Sequence, residues 1–149
     1  GEVDGALSHR FDLGIEFSTG FRVLVYVKGA VNLRSSRSQP RIDEIIRCTP
    51  PGLADRIVVV SDASFSPVYR DNNQRIMMCH EIPNPDADAA VADYARRLSA
   101  PVRLETVVVD IGGPEHLIYQ AIMRNVGSGV IGTERDAVID YPSHVWGAT

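Results

Sequence analysis

The chain has 149 residues, of which 44% are hydrophobic and 23% charged, the length and balance of a folded domain with its own core rather than a disordered tail. Its formal net charge of -4 argues against a strong, non-specific polyanion binder. The longest apolar runs, such as Ile57-Val58-Val59-Val60, are far too short to span a bilayer, so no membrane association is expected.

In chain order, residues 9–17 read as a strand, with Phe11, Leu13, Ile15 and Phe17 alternating against Asp12, Gly14 and Glu16. Ser18-Thr19-Gly20 is turn chemistry, and residues 21–28 form a second strand rich in β-branched and aromatic side chains. Residues 29–40, with Arg34, Ser35, Ser36, Arg37 and Ser38, read as a polar, basic loop. A helix then starts at Pro40 or Arg41, carries Ile42, Ile45 and Ile46 at helical spacing, and ends at Pro50-Pro51-Gly52.

The continuous run Ile57 to Val60 has the pattern of a strand buried on both faces. Residues 61–73 are expected as a loop and residues 75–79 as a short strand. Residues 86–99 form a helix, with Asp86 or Asp88 near its cap and Val91, Tyr94, Ala95 and Leu98 on one face. Residues 102–111 read as a strand, residues 115–126 as a helix, and residues 130–131 with 137–139 as a closing hairpin. The fold class is therefore α/β: a mixed β-sheet flanked by helices, in one domain over residues 1–149, with residues 111–149 as a small helix-hairpin extension.

Cys48 and Cys79 lack ligand-type spacing. Both are expected to be reduced and packed as small hydrophobes, in keeping with a cytoplasmic setting. The chain opens on Gly1 rather than Met, and further residues upstream are expected. Of its 15 basic side chains, 14 are arginines; the single lysine, Lys28, sits inside an apolar strand.

With the hairpin turn centred near Thr19, Asp12 falls opposite the segment 26–28, and Tyr26 and Lys28 share a strand face. A carboxylate and an ammonium meeting at the end of an antiparallel pair suit metal-assisted phosphodiester hydrolysis. The stretch His9-Arg10-Phe11-Asp12-Leu13, followed by Val23-Leu24-Val25-Tyr26-Val27-Lys28, resembles the PD-(D/E)xK nuclease superfamily, and more closely its TnsA-type transposon endonucleases. The helix from Pro40-Arg41-Ile42 and the strand Ala54-Asp55-Arg56-Ile57-Val58-Val59-Val60-Ser61-Asp62 are similar to the helix and strand that follow in that family, and residues 115–145 to its tail.

The resemblance implies a restriction-endonuclease-like fold and a DNA endonuclease of a transposon or mobile element that uses Mg or Mn. Asp12 would be the metal-binding aspartate, Lys28 the catalytic lysine, and the Val27 carbonyl a further ligand. Tyr26 departs from the family pattern, which has an acid or Gln there; Glu16 on the same strand or Glu44 on the following helix is the candidate to supply the acid. Arg34, Arg37 and Arg41 would hold the DNA backbone. Expected partners are DNA and a transposase or other mobile-element protein; Tyr141 and Trp146 either pack down the tail or make a homodimer contact.

Plainer readings stand beside these. Asp12 pairs with Arg10 or Arg22 on the surface, Lys28 snorkels into water, and the arginines belong to a solvated loop. On that reading the chain is a degenerate nuclease-fold module that binds DNA or protein without cutting. His9, and His80 with Glu81, lack paired ligand spacing and are expected at the surface. Gly112-Gly113-Pro114 is a weak anion motif, and Ser61, Asp62 and Ser64 lack the partners of a serine hydrolase.

Overall fold

The computed structural model describes residues 9–148. The chain divides into two compact units, Gly1–Phe65 and Ser66–Thr149.

The first unit is built on a three-stranded sheet in the order β1-β2-β3, from β1 (Leu13–Glu16), β2 (Arg22–Val27) and β3 (Arg56–Val60). β1 and β2 form the expected antiparallel hairpin, and β3 pairs with β2 in parallel, from Val23↔Arg56 to Val27↔Val60. A parallel partner requires a crossover. It is supplied by α1 (Ala30–Leu33) and α2 (Ser38–Cys48). Most of the expected polar loop is therefore helical, and α2 begins two residues before Pro40; its buried face holds Ile42 and Ile45, whereas Ile46 is exposed. The crossover is latched at both ends. Asp55 accepts the Arg22 amide at 2.7 Å while the Arg22 guanidinium donates to Gly52 O, and Asp62 accepts the Ala30 amide at 2.7 Å.

β3 is half-buried rather than enclosed on both faces, and it lies at the edge of the sheet with β2 at its centre. On the other edge, Leu13 and Ile15 remain exposed on the face they share with Val25 and Val23.

The second unit is mostly helical. Its elements are α3 (Pro67–His80), α4 (Pro85–Arg96), β4 (Val102–Arg103), α5 (Leu104–Ile111), α6 (Glu115–Gly127), β5 (Ile131–Thr133) and β6 (His144–Gly147). The strands form an antiparallel sheet in the order β4-β6-β5. Ser66 and Asn84 cap α3 and α4 with their side chains, each followed by Pro at the first helical position. Asn84 thus takes the capping role expected of Asp86 or Asp88, which lie in the first turn. The core gathers on α6: Ala121, Ile122 and Met123 are fully buried against Val91, Leu104, Val107 and Val145.

Four expectations fail here. Residues 67–73, expected within a loop, and residues 75–79, expected as a strand, all belong to α3, and most of residues 102–111 belong to α5. The valines of α5 look strand-like, but Leu104, Val107, Val108 and Ile111 recur at helical period and three of the four are buried. Residues 137–139 do not pair as a strand, and β5 pairs with β6 instead. Side chains take their backbone groups: Asn72 Nδ2 donates to Ala137 O, Ile139 N–H donates to Asn72 Oδ1, and Ile139 O accepts from Arg75 and Tyr119.

Candidate functional site

The hairpin register runs Leu13↔Val25, Gly14↔Leu24, Ile15↔Val23 and Glu16↔Arg22. It breaks at Asp12, whose N–H donates to Val25 O at 3.0 Å, one residue out of step. The Asp12 carboxylate then turns back and accepts the Val27 N–H at 2.7 Å through Oδ2. It replaces the backbone acceptor that a longer β1 would have offered to β2. The expected meeting of Asp12 with the end of β2 is present, but Val27 takes part through its amide rather than its carbonyl. Neither Arg10 nor Arg22 pairs with Asp12; the Arg22 side chain goes to Gly52 O. Lys28 extends β2 by donating its N–H to Val60 O at 2.9 Å, and its half-buried side chain has no ion-pair partner among the described residues.

At the position where the family pattern has an acid, Tyr26 packs edge-on against His9, with ring centroids 4.7 Å apart. His9 also meets Phe11 edge-on at 4.9 Å, so it is part of an aromatic cluster rather than a free surface group. Neither candidate acid repairs the gap. Glu16 opposes Arg22 at the turn end of the hairpin, six residues along β2 from Lys28, or about 20 Å at the rise of a strand. Glu44 points into a cavity of about 170 Å³ with His9, Phe11, Ile45, Cys48, Thr49, Pro50 and Leu53, a lining that includes neither Asp12 nor Lys28.

A divalent metal bound by protein needs several oxygen donors converging on one point. Among the described residues no three His, Cys, Asp or Glu side chains do so, and one Asp12 oxygen is already engaged by a backbone amide. The described residues do not fit the metal site that the resemblance implies, and no step is derived through one.

The basic residues are better placed. Arg34 is the C-cap of α1, Arg37 the N-cap of α2, and Arg41 lies one turn into α2. All three are exposed, and none forms an ion pair among the described residues. α2 has no acidic residue in its first turn and no side-chain cap, so its positive dipole end adds to the same field, although the Ser38 amide donates to Ser35 O and Pro40 has none.

A second nucleic-acid element is suggested by α5 and α6, which are joined by three residues including Gly112 and Gly113, a spacing compatible with a helix-turn-helix. Its chemistry argues the other way. The only cation on α6, Arg124, is 4% exposed. Its Nε donates to Asp88 Oδ1 at 2.8 Å, and its Nη1 donates to Cys79 O and Ile82 O. Residues 66–149 hold eleven acidic against seven basic side chains, while residues 1–65 hold eight of each. The whole net charge of -4 therefore lies in the second unit, and the first is neutral.

Both cysteines are free, and only Cys79 is packed as a small hydrophobe; Cys48 is exposed. The cavity beside it escapes sequence reasoning because its walls come from the start of the hairpin and the far end of α2, about 35 residues apart in the chain. Among the described residues no helix is long and apolar enough to cross a membrane. No protein-family model, no curated protein and no solved structure matches the chain.

Proposed function

We propose that this chain is a nuclease-fold module of a mobile element that holds DNA by its phosphate backbone without cutting it. The observation that carries the reading is the placement of Arg34, Arg37 and Arg41 at the α1–α2 junction, exposed and unpaired among the described residues, at the unneutralised N-terminus of α2. The hairpin with its parallel crossover strand supports the scaffold part of the reading. The absence of cleavage rests on Asp12, which serves the β2 edge, and on Tyr26, which is packed against His9.

The test is fluorescence anisotropy with a short labelled duplex across a salt series, alongside plasmid nicking with Mg²⁺ and with Mn²⁺. Binding that weakens steeply with salt, with the plasmid intact, is the expected result. Metal-dependent nicking abolished by Lys28→Ala would replace this reading with the endonuclease one.

A further inference from the structure

The cavity between the start of the hairpin and the C-terminal half of α2 is unused by the DNA-binding reading. Its volume, about 170 Å³, is enough for one aromatic ring, since about 150 Å³ accommodates benzene. Its walls are apolar and aromatic: Phe11, Ile45, Pro50 and Leu53. Two of its polar groups have no partner among the described residues. His9 Nε2 is buried without a hydrogen bond, and the half-buried carboxylate of Glu44 makes neither a hydrogen bond nor an ion pair. Buried polar atoms are rarely left unsatisfied, and an apolar cavity with a few convergent polar groups is the usual form of a small-ligand site.

Both unpartnered groups accept hydrogen bonds, Glu44 as a carboxylate and His9 through Nε2 in the tautomer that carries its proton on Nδ1. Carboxylate chemistry on an aromatic wall selects for N–H donors and for positive charge. Cys48 shares the wall with them, but among the described residues the three do not form a group that could hold a metal ion, which favours an organic occupant. We infer that this cavity binds a small planar ring bearing N–H donors, such as an aryl amidine or an amino-heterocycle, with the ring against Phe11 and the donors shared by Glu44 and His9. The site is separate from the arginine junction and does not depend on the DNA reading.

Cys48 lines the cavity and is exposed, whereas Cys79, the only other cysteine, is buried. Alkylation of Cys48 therefore reports occupancy. The experiment measures the rate at which iodoacetamide modifies Cys48 in the full chain, with and without benzamidine, and with toluene as a ring that lacks donors. Benzamidine is expected to protect Cys48 in a saturable way and toluene far less. Glu44→Gln should weaken the protection by about tenfold in ligand concentration, the loss of one charge-assisted hydrogen bond. Leu53→Trp, at a half-exposed position, should fill the cavity and abolish protection while thermal melting shows the fold intact. Rates unchanged by benzamidine, equal protection by toluene, or undiminished protection in Glu44→Gln would each overturn the proposal.

Discussion

The Asp12 carboxylate accepts the Val27 amide at 2.7 Å, so the residue best suited to bind a metal serves as the terminal acceptor of the β2 edge. Removing it leaves the amide to water, at an exposed site where the net loss is small. Asp12→Ala is expected to lower stability by about 1 kcal/mol, and Asp12→Asn, which keeps an oxygen acceptor, by less. Urea denaturation of the two variants checks this. Equal losses would mean that the hydrogen bond contributes nothing beyond side-chain bulk.

Arg124 ties α6 to Asp88 on α4 and to two carbonyls at and just after the end of α3. With Arg124 truncated, Asp88 loses its counter-charge and the Cys79 and Ile82 carbonyls lose their donor. Arg124→Ala is expected to cost about 3–5 kcal/mol, as for other buried pairs broken from one side. Arg124→Met with Asp88→Leu should recover much of that loss, because the charge and its partner leave together. Thermal melts of the single and double variants decide between these outcomes.

At β6, an added Cβ on Gly147 would lie 2.5 Å from the backbone oxygen of Ala95 in α4. Backbone cannot swing aside as a side-chain end can, so Gly147→Ala must push the strand away from the helix. A loss of about 1–3 kcal/mol is expected in denaturation experiments, whereas Gly20→Ala, which meets nothing within 4 Å, should show only the strain of its positive φ.

The arginine junction yields a quantitative prediction. Each phosphate contact on duplex DNA contributes about 0.9 to the slope of log affinity against log salt. Arg37→Gln with Arg41→Gln should therefore flatten that slope by about 1.8, while Arg135→Gln in the acidic second unit leaves it unchanged. A slope unaffected by the double substitution would remove these arginines from the interface.

The first unit was more legible from sequence than the second, for physical reasons. Strict alternation around Asp12 and a turn at Ser18-Thr19-Gly20 specify a hairpin locally, and the register follows from the turn. The Val-rich α5 misleads, because β-branched composition and helical period point in opposite directions and burial against α6 settles the matter for the helix. The stretch 137–139 has strand composition, yet Asn72, Arg75 and Tyr119 satisfy its backbone from other elements. No local pattern announces that. At the site, Asp12 and Lys28 were findable as residue types, but whether an acid joins them depends on where Glu16 and Glu44 come to lie, which only the register and the course of α2 reveal.

Two tyrosines of the second unit should mark the alkaline limb of stability. Tyr94 donates to Asp110 Oδ2 at 2.5 Å; that hydrogen bond, then burial, then the Asp110 charge push its pKa up from 10.0. Burial foremost also pushes Tyr119 up, outweighing the lowering effect of Arg75, while its hydroxyl donates to Ile139 O at 3.1 Å. A pKa raised in the fold means that the unfolded chain releases the proton first. The stabilisation is thus fully present below about pH 10, the unfolded value, and is lost as pH rises through the folded pKa. In an ultraviolet titration, Tyr94 and Tyr119 should ionise late. Tyr94→Phe and Tyr119→Phe should each remove one late step and flatten the fall of stability above pH 10. Titration curves of Tyr94→Phe and Tyr119→Phe that each keep every late step would show that neither hydroxyl is held in its neutral form.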